Sequence, residues 1–575
     1  MHHVNAIVLF VMVTDQLEHP WLANYPKGVP ATVDYPNDSI STLLSDAAAT
    51  FQERPATLFF GSKMSYNELD AAASRFAAAL TSLGINHGDR IALCLPNCPQ
   101  YLIAYFGVLR AGGTVVQINP VLSERELAFE LADAAAETIV ALDLLVERVA
   151  TVWEETPLKR LIRTSLGSYV PFTIGLALKV KSRGKVKPPP ASAEVLEMET
   201  LLIQDVEATE ISINPANDVA VLQYTGGTTG NPKAAMLTHS NLMANSHQVR
   251  AWLNGITVGE EVMLAALPLF HVYGMTICMN LALLIGATIV LLPRMDLPEI
   301  VKAIDRHKVS VFPGVPSLYT AVSHQAKRRK IDLSSIKICI SGSAPLPIEV
   351  TRKFEEQTGG RLVEGYGLSE SSPVTHVNPI WGGEARVGSI GLPLPSTECR
   401  VIDVETGEND MPAGEPGELI IRGPQVMKGY WNRPDETKET LRGGWLHTGD
   451  IVVMDNDGYF SIVDRKKDLI ISGGFNVYPR EVEEVLYQHP KITECAVVGE
   501  PDSLKGETVK AFLVLKEKED TTRTEIQDWC EERLAPYKIP RRIEVLKELP
   551  RSAIGKVLRR ELRDRCVLHN PKTTQ

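Results

Sequence analysis

The stretch Tyr224 to Leu237, YTGGTTGNPKAAML, restricts what this chain can fold into more than any other. Gly226, Gly227 and Gly230 lack a Cβ, so the backbone there can turn sharply and bring its N–H groups close to an anion. Thr225, Thr228 and Thr229 add hydroxyl donors, and Lys233 adds a point charge suited to phosphate oxygens. The apolar run Val219 to Tyr224 reads as a buried strand, and Ser240 or Asn241 is a candidate cap for a helix opening at Leu242. A phosphate-holding loop fits between them. It is not the Walker A pattern, because no Gly-Lys-Ser/Thr stands at the required offset from the first glycine. The same composition also occurs in mobile surface loops, so the loop alone leaves that reading open.

The rest of the chain bounds the fold. At 575 residues it is too long for one core, and two or three domains are expected. Helical runs such as AAASRFAAAL alternate with strand runs such as RIALCLP and GGTVVQINP, which is the pattern of α/β layers. VSVFPGVP, IKICISGSAP and RLVEGYG continue the strands, each ending where a site loop can emerge at a strand's carboxyl end. From Asp464 the composition becomes more charged. Helices are expected at Glu481–Leu486 and Thr524–Leu534 and strands at Cys495–Val498 and Ala511–Leu515, which describes a small α+β domain. A net charge of −11 argues against a general nucleic-acid binder. Eight scattered cysteines lack paired spacing; Cys94 and Cys98 form a lone CxxxC without the second half of a zinc site, and such thiols suit a reducing cytosol. The apolar run Ala6 to Val13 has neither a basic n-region nor a small-residue cleavage site and is too short to span a bilayer; Met12, near its end and just before a soluble-looking stretch, favours an over-extended start. KVKSRGKVKPPP, from Lys179 to Pro190, reads as a basic loop. It is either a solvated connector or a contact for an anionic membrane surface on the inner, cytoplasmic face.

Six further motifs follow the loop in a fixed order. They are PLFHVYG from Pro268, SGSAP from Ser341, YGLSES from Tyr366, WLHTGD from Trp445, DRKKDLIISGGFNVYPREVEE from Asp464 and PRSAIGKVLRREL from Pro550. With the loop, this series resembles the acyl-adenylate-forming superfamily from about Ser39 to Leu562, and Gly443 to Val485 is close to the fatty acyl-CoA synthetase signature. Gly226 stands where the family usually has Ser, a variant associated with bacterial long-chain fatty acyl-CoA ligases, and Ala234 replaces a usual Gly.

The resemblance implies an α/β fold with a large layered N-terminal domain of βα sheets and a small α+β C-terminal domain joined by a hinge. The implied division is a lead-in at 1–38, an adenylate-forming domain at 39–464, a hinge at 465–467 containing Lys467, a mobile domain at 468–567 and a disordered tail at 568–575. It implies the cofactors and substrates ATP, Mg²⁺, coenzyme A and a fatty acid. Glu370 and the Thr225 hydroxyl are then the Mg²⁺ ligands, and Tyr224, Thr225, Gly226, Gly227, Thr228, Thr229, Gly230 and Lys233 form the phosphate site. Tyr366 stacks on adenine, with Gly342, Ser343, Ala344, Glu364, Gly367 and Ser369 around the nucleotide, and Asp450 and Arg465 take the ribose hydroxyls. Lys556 is the implied catalytic lysine, Gly473 and Gly474 flank the tunnel for the pantetheine arm, and His271, Val272, Gly274 and Met275 begin the acyl pocket. His271 is equally readable as a packed core histidine. The activity implied is ATP-dependent ligation of a long-chain fatty acid to coenzyme A. Medium-chain or aryl acid ligation, acyl transfer to a carrier protein and a non-catalytic acyl-binding scaffold are the alternatives.

Overall fold

The computed structural model describes residues 19–171, 174, 188–204, 211–225, 232–465, 468–472, 475–502, 506–517, 519–552 and 557–568. Its largest sheet has eight strands, in the order Gly429–Tyr430, Lys233–Thr238, Val219–Thr225, Thr114–Gln117, Arg90–Cys94, Thr138–Leu142, Arg160–Thr164 and Glu194–Glu197. From Val219–Thr225 to Glu194–Glu197 every pairing is parallel, and the other edge closes with two antiparallel pairings. Parallel strands are buried on both faces, which is why they read as continuous apolar runs. The two-residue side-chain period divides each of them between two cores. Ile91 and Leu93 join Phe76 and Leu102 of the helices Tyr66–Ser82 and Pro99–Arg110, whereas Ala92 and Cys94 join Leu127 and Leu131 of the helix Glu124–Asp133.

Helix starts are set by capping boxes. Ser65 with Glu68 opens Tyr66–Ser82, Ser123 with Glu126 opens Glu124–Asp133, and Thr238 with Asn241 opens His239–Trp252. The last corrects the expectation of a cap at Ser240 or Asn241. The helix begins three residues earlier than Leu242, because Thr238 caps it and Asn241 serves as the reciprocal partner.

Two four-stranded sheets complete the layered region. One runs Val262–Ala265, Thr288–Leu291, Pro55–Phe59, Ser62–Ser65; the other runs Ile338–Ser341, Arg361–Gly367, Val374–Val377, Leu392–Pro393. VSVFPGVP lies between them without forming a full strand. Val311 bridges both Met263 and Ile338, and Gly314 bridges Ser341. Pro313 and Pro316 account for this, since proline cannot donate to a ladder. A five-stranded antiparallel sheet then carries Trp445–Met454 and Phe460–Arg465.

The smaller C-terminal unit has its own sheet and core. Ile492–Asp502 and Gly506–Leu515 are longer than the expected strands and pair antiparallel along their length, and Arg542–Val545 joins in parallel. Helices Pro479–Tyr487 and Arg523–Glu531 cover one face through Val482, Leu486 and Ile526. The class is thus α/β with a large N-terminal and a small C-terminal part. All eight cysteines are free and buried. Among the described residues, no helix is long and apolar enough to cross a membrane, and no group of three or more His, Cys, Asp or Glu side chains is placed to hold a metal. Met12, the run from Ala6 to Val13 and the basic residues Lys179 to Lys187 lie outside the described residues.

Candidate active site

The glycine-threonine loop connects two adjacent antiparallel strands, with Thr225 in register with Lys233. This differs from a strand-to-helix phosphate loop, because the strand Lys233–Thr238 intervenes before the helix His239–Trp252. The hairpin register returns Lys233 to the side of Thr225. Gly226, Gly227, Thr228, Thr229 and Gly230 themselves lie outside the described residues. The root of the loop is anchored by Tyr224, whose hydroxyl donates to Asp133 Oδ2 at 2.9 Å and lies 3.0 Å from the Glu130 carbonyl. Burial, and then the negative charge of Asp133, push this phenol above its usual range. Tyr224 therefore bears on the loop through its backbone, with its side chain committed to the helix Glu124–Asp133.

The strand Arg361–Gly367 ends in a 3-10 turn, Ser369–Ser371, that packs against both hairpin strands. Gly367 lets the chain close tightly around this turn, because a Cβ there would stand 2.0 Å from the carbonyl oxygen of Pro373 beyond it. The turn carries Ser369 and Glu370. Glu370 Oε1 accepts from the Tyr430 hydroxyl at 2.7 Å, and Lys233 Nζ lies 5.2 Å from the centroid of the same ring. Among the described residues, Tyr430 is the only side chain hydrogen-bonded to Glu370. A carboxylate with spare lone pairs and a threonine hydroxyl are hard oxygen donors, so Glu370 and Thr225 fit Mg²⁺ in kind.

Two neighbouring strands supply the nucleotide side. Ser341 is in register with Glu364, so Gly342, Ser343 and Ala344 leave the sheet beside Glu364 and Tyr366. The Gly342 N–H donates to the Gly314 carbonyl at 3.1 Å, and Ser343 is held at φ +67°, a left-handed conformation uncommon for serine. Glu364 is buried and accepts from the Leu346 N–H at 3.1 Å. Burial raises its pKa to about 7, while the Arg480 guanidinium pulls the other way. Asp450 pairs across the sheet with Arg465, and its Oδ2 accepts from the Tyr366 hydroxyl at 2.5 Å. The residues assigned to adenine and to ribose, 84 positions apart, therefore meet directly. Arg465 is described by its backbone alone.

The segment from His271 to Met275 lies on the other side of Ser341. The Tyr273 hydroxyl donates to the Ile340 carbonyl at 2.7 Å, and the Tyr273 N–H donates to His271 Nδ1 at 3.2 Å. His271 is half-buried, and Val272 and Met275 are buried. From Gly274 to Leu281 the backbone winds as a π-helix, a rare form that often marks a functional position. Gly274 itself is closely packed by backbone. A Cβ there would stand 2.1 Å from the Pro268 carbonyl oxygen, so the missing side chain is taken up by close backbone packing. Gln117 Nε2 lies 3.3 Å from Met275 Sδ, and Tyr101 lies 2.6 Å from Gln117 Oε1.

Lys467, Gly473, Gly474 and Lys556 lie outside the described residues. Their neighbours are tied together. Asp468 pairs with Arg563 at 2.8 Å and Arg559 at 3.5 Å, which joins the residue after Lys467 to the helix Arg559–Leu568 that follows Lys556. Sequence reading missed Tyr430, Asp133 and Arg433. The dipeptide Gly429-Tyr430 in KGYW carried a signal only through the φ of +146° at Gly429, which no sequence pattern declares.

Residues 44–431 match the AMP-binding enzyme family, and residues 481–556 match the AMP-binding enzyme C-terminal domain. The chain is 48% identical over 552 residues to a long-chain-fatty-acid–CoA ligase of Bacillus subtilis, covering 95% of this chain and 98% of the relative. It is 39% identical to the ligase of that name from Escherichia coli O6:H1, with the same coverage. Among solved structures, ATP-bound MatB from Rhodopseudomonas palustris superposes with a TM-score of 0.80 at 30% identity, covering 91% of this chain and 98% of that one. With the family's two matches falling on the layered region and on the smaller unit, this chain belongs to the AMP-binding enzymes.

Proposed function

We infer that this chain ligates a long-chain fatty acid to coenzyme A in an ATP-dependent reaction that passes through an acyl-adenylate and releases AMP and pyrophosphate. The observation that carries the substrate class is the 48% identity, along nearly the whole chain, to a long-chain-fatty-acid–CoA ligase. The meeting of Lys233 and Glu370 at Tyr430, and of Tyr366 with Asp450, supports the adenylation chemistry.

A carboxylate resists nucleophilic attack because of its charge and its poor leaving group, and joining it to AMP removes both obstacles. The residues needed are those that align the carboxylate with the α-phosphorus and stabilise charge as the anhydride forms. We assign the phosphates to the loop N–H groups, its threonines and Lys233. Thr225 and Glu370 would hold Mg²⁺, which supplies charge neutralisation at the phosphate oxygens. Adenine falls to Tyr366, with Gly342, Ser343, Ala344, Glu364, Gly367 and Ser369 around it, and the ribose to Asp450 and Arg465. Lys556 bridges the fatty carboxylate and the α-phosphate in the first half-reaction. Rotation about Lys467 then withdraws it and brings Gly473 and Gly474 to the pantetheine arm. His271 to Met275 open the acyl side. The basic segment from Lys179 to Lys187 is proposed to meet anionic lipid, on the support of its charge alone.

A panel of acids assayed for AMP release with and without coenzyme A tests this reading. Turnover greatest on long-chain acids and dependent on coenzyme A is expected. Preference for an aryl acid, or accumulation of acyl-AMP indifferent to coenzyme A, refutes it.

A further inference from the structure

Tyr430 lies on the two-residue strand Gly429–Tyr430, which pairs with the hairpin strand Lys233–Thr238 through Tyr430 and Ala235. The Trp431 N–H donates to the Ala234 carbonyl at 2.9 Å and the Lys428 N–H to the Met236 carbonyl at 3.0 Å, so this short strand rides on the hairpin that bears the phosphate loop. Its position is fixed from behind as well. The Tyr430 N–H donates to Thr437 Oγ1 at 2.9 Å, and a Cβ at Gly429 would stand 2.6 Å from Thr437 Cγ2. The next residues grip the other root of the loop, since Trp431 Nε1 donates to the Asp133 carbonyl at 3.0 Å and Arg433 pairs with Asp133 at 2.7 Å, the carboxylate that also takes the Tyr224 hydroxyl.

From this fixed base the Tyr430 side chain does two separate things. Its single hydroxyl proton goes to Glu370 Oε1, and its ring face lies beside the Lys233 ammonium at a distance where cation–π attraction operates. Glu370 stands on a three-residue turn and Lys233 is the first residue of its strand, at the mouth of the loop, and both carry long side chains with several rotatable bonds. Immobilising such long side chains at the moment of binding costs conformational entropy, which a standing contact removes in advance. We propose that Tyr430 is a positioning residue for the adenylation half-reaction. It orients the Glu370 carboxylate toward the phosphate-bound cation through its hydroxyl and holds Lys233 toward the phosphates through its ring. This rests on the function inferred above.

The two contacts can be removed one at a time. Tyr430→Phe keeps the ring and loses the hydroxyl, and Tyr430→Leu loses both. Binding of Mn²⁺, standing in for Mg²⁺, is followed by electron paramagnetic resonance on the full-length enzyme with a non-hydrolysable ATP analogue. A lost hydrogen bond to a charged group predicts Mn²⁺ affinity about tenfold weaker in Tyr430→Phe. Metal-free AMP binding by calorimetry should be retained in Tyr430→Phe, because the ring beside Lys233 is kept and the lost hydroxyl bears only on Glu370, the assigned metal ligand. Tyr430→Leu should further weaken metal-free binding of the ATP analogue. Wild-type Mn²⁺ affinity in Tyr430→Phe overturns the proposal. So does an equal loss of AMP and Mn²⁺ binding, which would mark a purely structural residue. Failure of the wild-type enzyme to bind Mn²⁺ with the analogue overturns the inferred chemistry itself, and is distinguished by occurring before any substitution.

Discussion

A carboxyl buried as deeply as Glu364 resists ionisation, and its proton count differs between folded and unfolded chains. Its folded pKa of about 7 lies above the ordinary 4.5. The folded state therefore holds a proton that the unfolded chain releases between those values. The associated stability is complete below about pH 4.5 and is lost as pH rises through about 7, a loss on the order of 3 kcal/mol. Glu364→Gln is neutral at every pH and keeps an oxygen for the Leu346 N–H. It should raise the thermal midpoint at pH 8 and change it little at pH 5; an equal effect at both, by circular dichroism, refutes the assignment of the shift to this residue. Lys556, proposed above as the lysine of the first half-reaction, would bear on rate instead. Lys556→Ala should abolish acyl-adenylate formation and leave attack of coenzyme A on supplied acyl-AMP largely intact, and equal loss of both half-reactions would remove it from the first step. Residues of this kind stand out as candidates in the sequence because they sit inside motifs whose residue types suggest a chemistry. Tyr430 was not, since a tyrosine beside a tryptophan reads as core, and only the fold brings it to Glu370 and Lys233, at 60 and nearly 200 positions' remove.

Elements were legible wherever one local rule dominated. The parallel strands announced themselves as apolar runs, and the serine caps at Ser65 and Ser123 each had a glutamate three residues on. Thr238 was hidden because its partner is Asn241, outside the usual Glu or Gln of a capping box. VSVFPGVP was misread because its apolar content outweighed its two prolines, and the ladder, unlike the core, cannot use proline. The π-helix from Gly274 to Leu281 was beyond reach, since its apolar residues suit any buried helix. Its entry depends on one small residue. Gly274→Ala drives a methyl against the Pro268 carbonyl, with backbone on both sides and no flexible side chain to yield. Overpacking of this kind costs at least about 1–3 kcal/mol. A lower thermal midpoint is expected, together with a loss of long-chain acid turnover larger than any loss of ATP binding. An unchanged midpoint would mean that the entry turn relaxes freely.

At the scale of the whole molecule, the two parts carry separate cores, each with residues fully withdrawn from water. Separate cores are compatible with the proposed rotation, since one part could turn against the other without either unfolding. The proposed contact of the basic segment with anionic lipid predicts that changing Lys179, Lys181, Arg183, Lys185 and Lys187 to Gln releases the enzyme from anionic vesicles while leaving turnover of a short soluble acid intact. Wild-type association should weaken with salt, because exposed charges are screened within about 8 Å at physiological ionic strength. Co-sedimentation indifferent to both salt and substitution returns the segment to a solvated connector. The burial of all eight thiols has a different use. Burial pushes thiols such as Cys94 and Cys98 up to about 12, so neither access nor thiolate is offered to an alkylating dye. The native chain is then silent to maleimides without mutagenesis, and cysteines placed at exposed Lys438 and Glu532 would be the two addressable positions from which a fluorescent donor and acceptor test whether the small part turns as proposed.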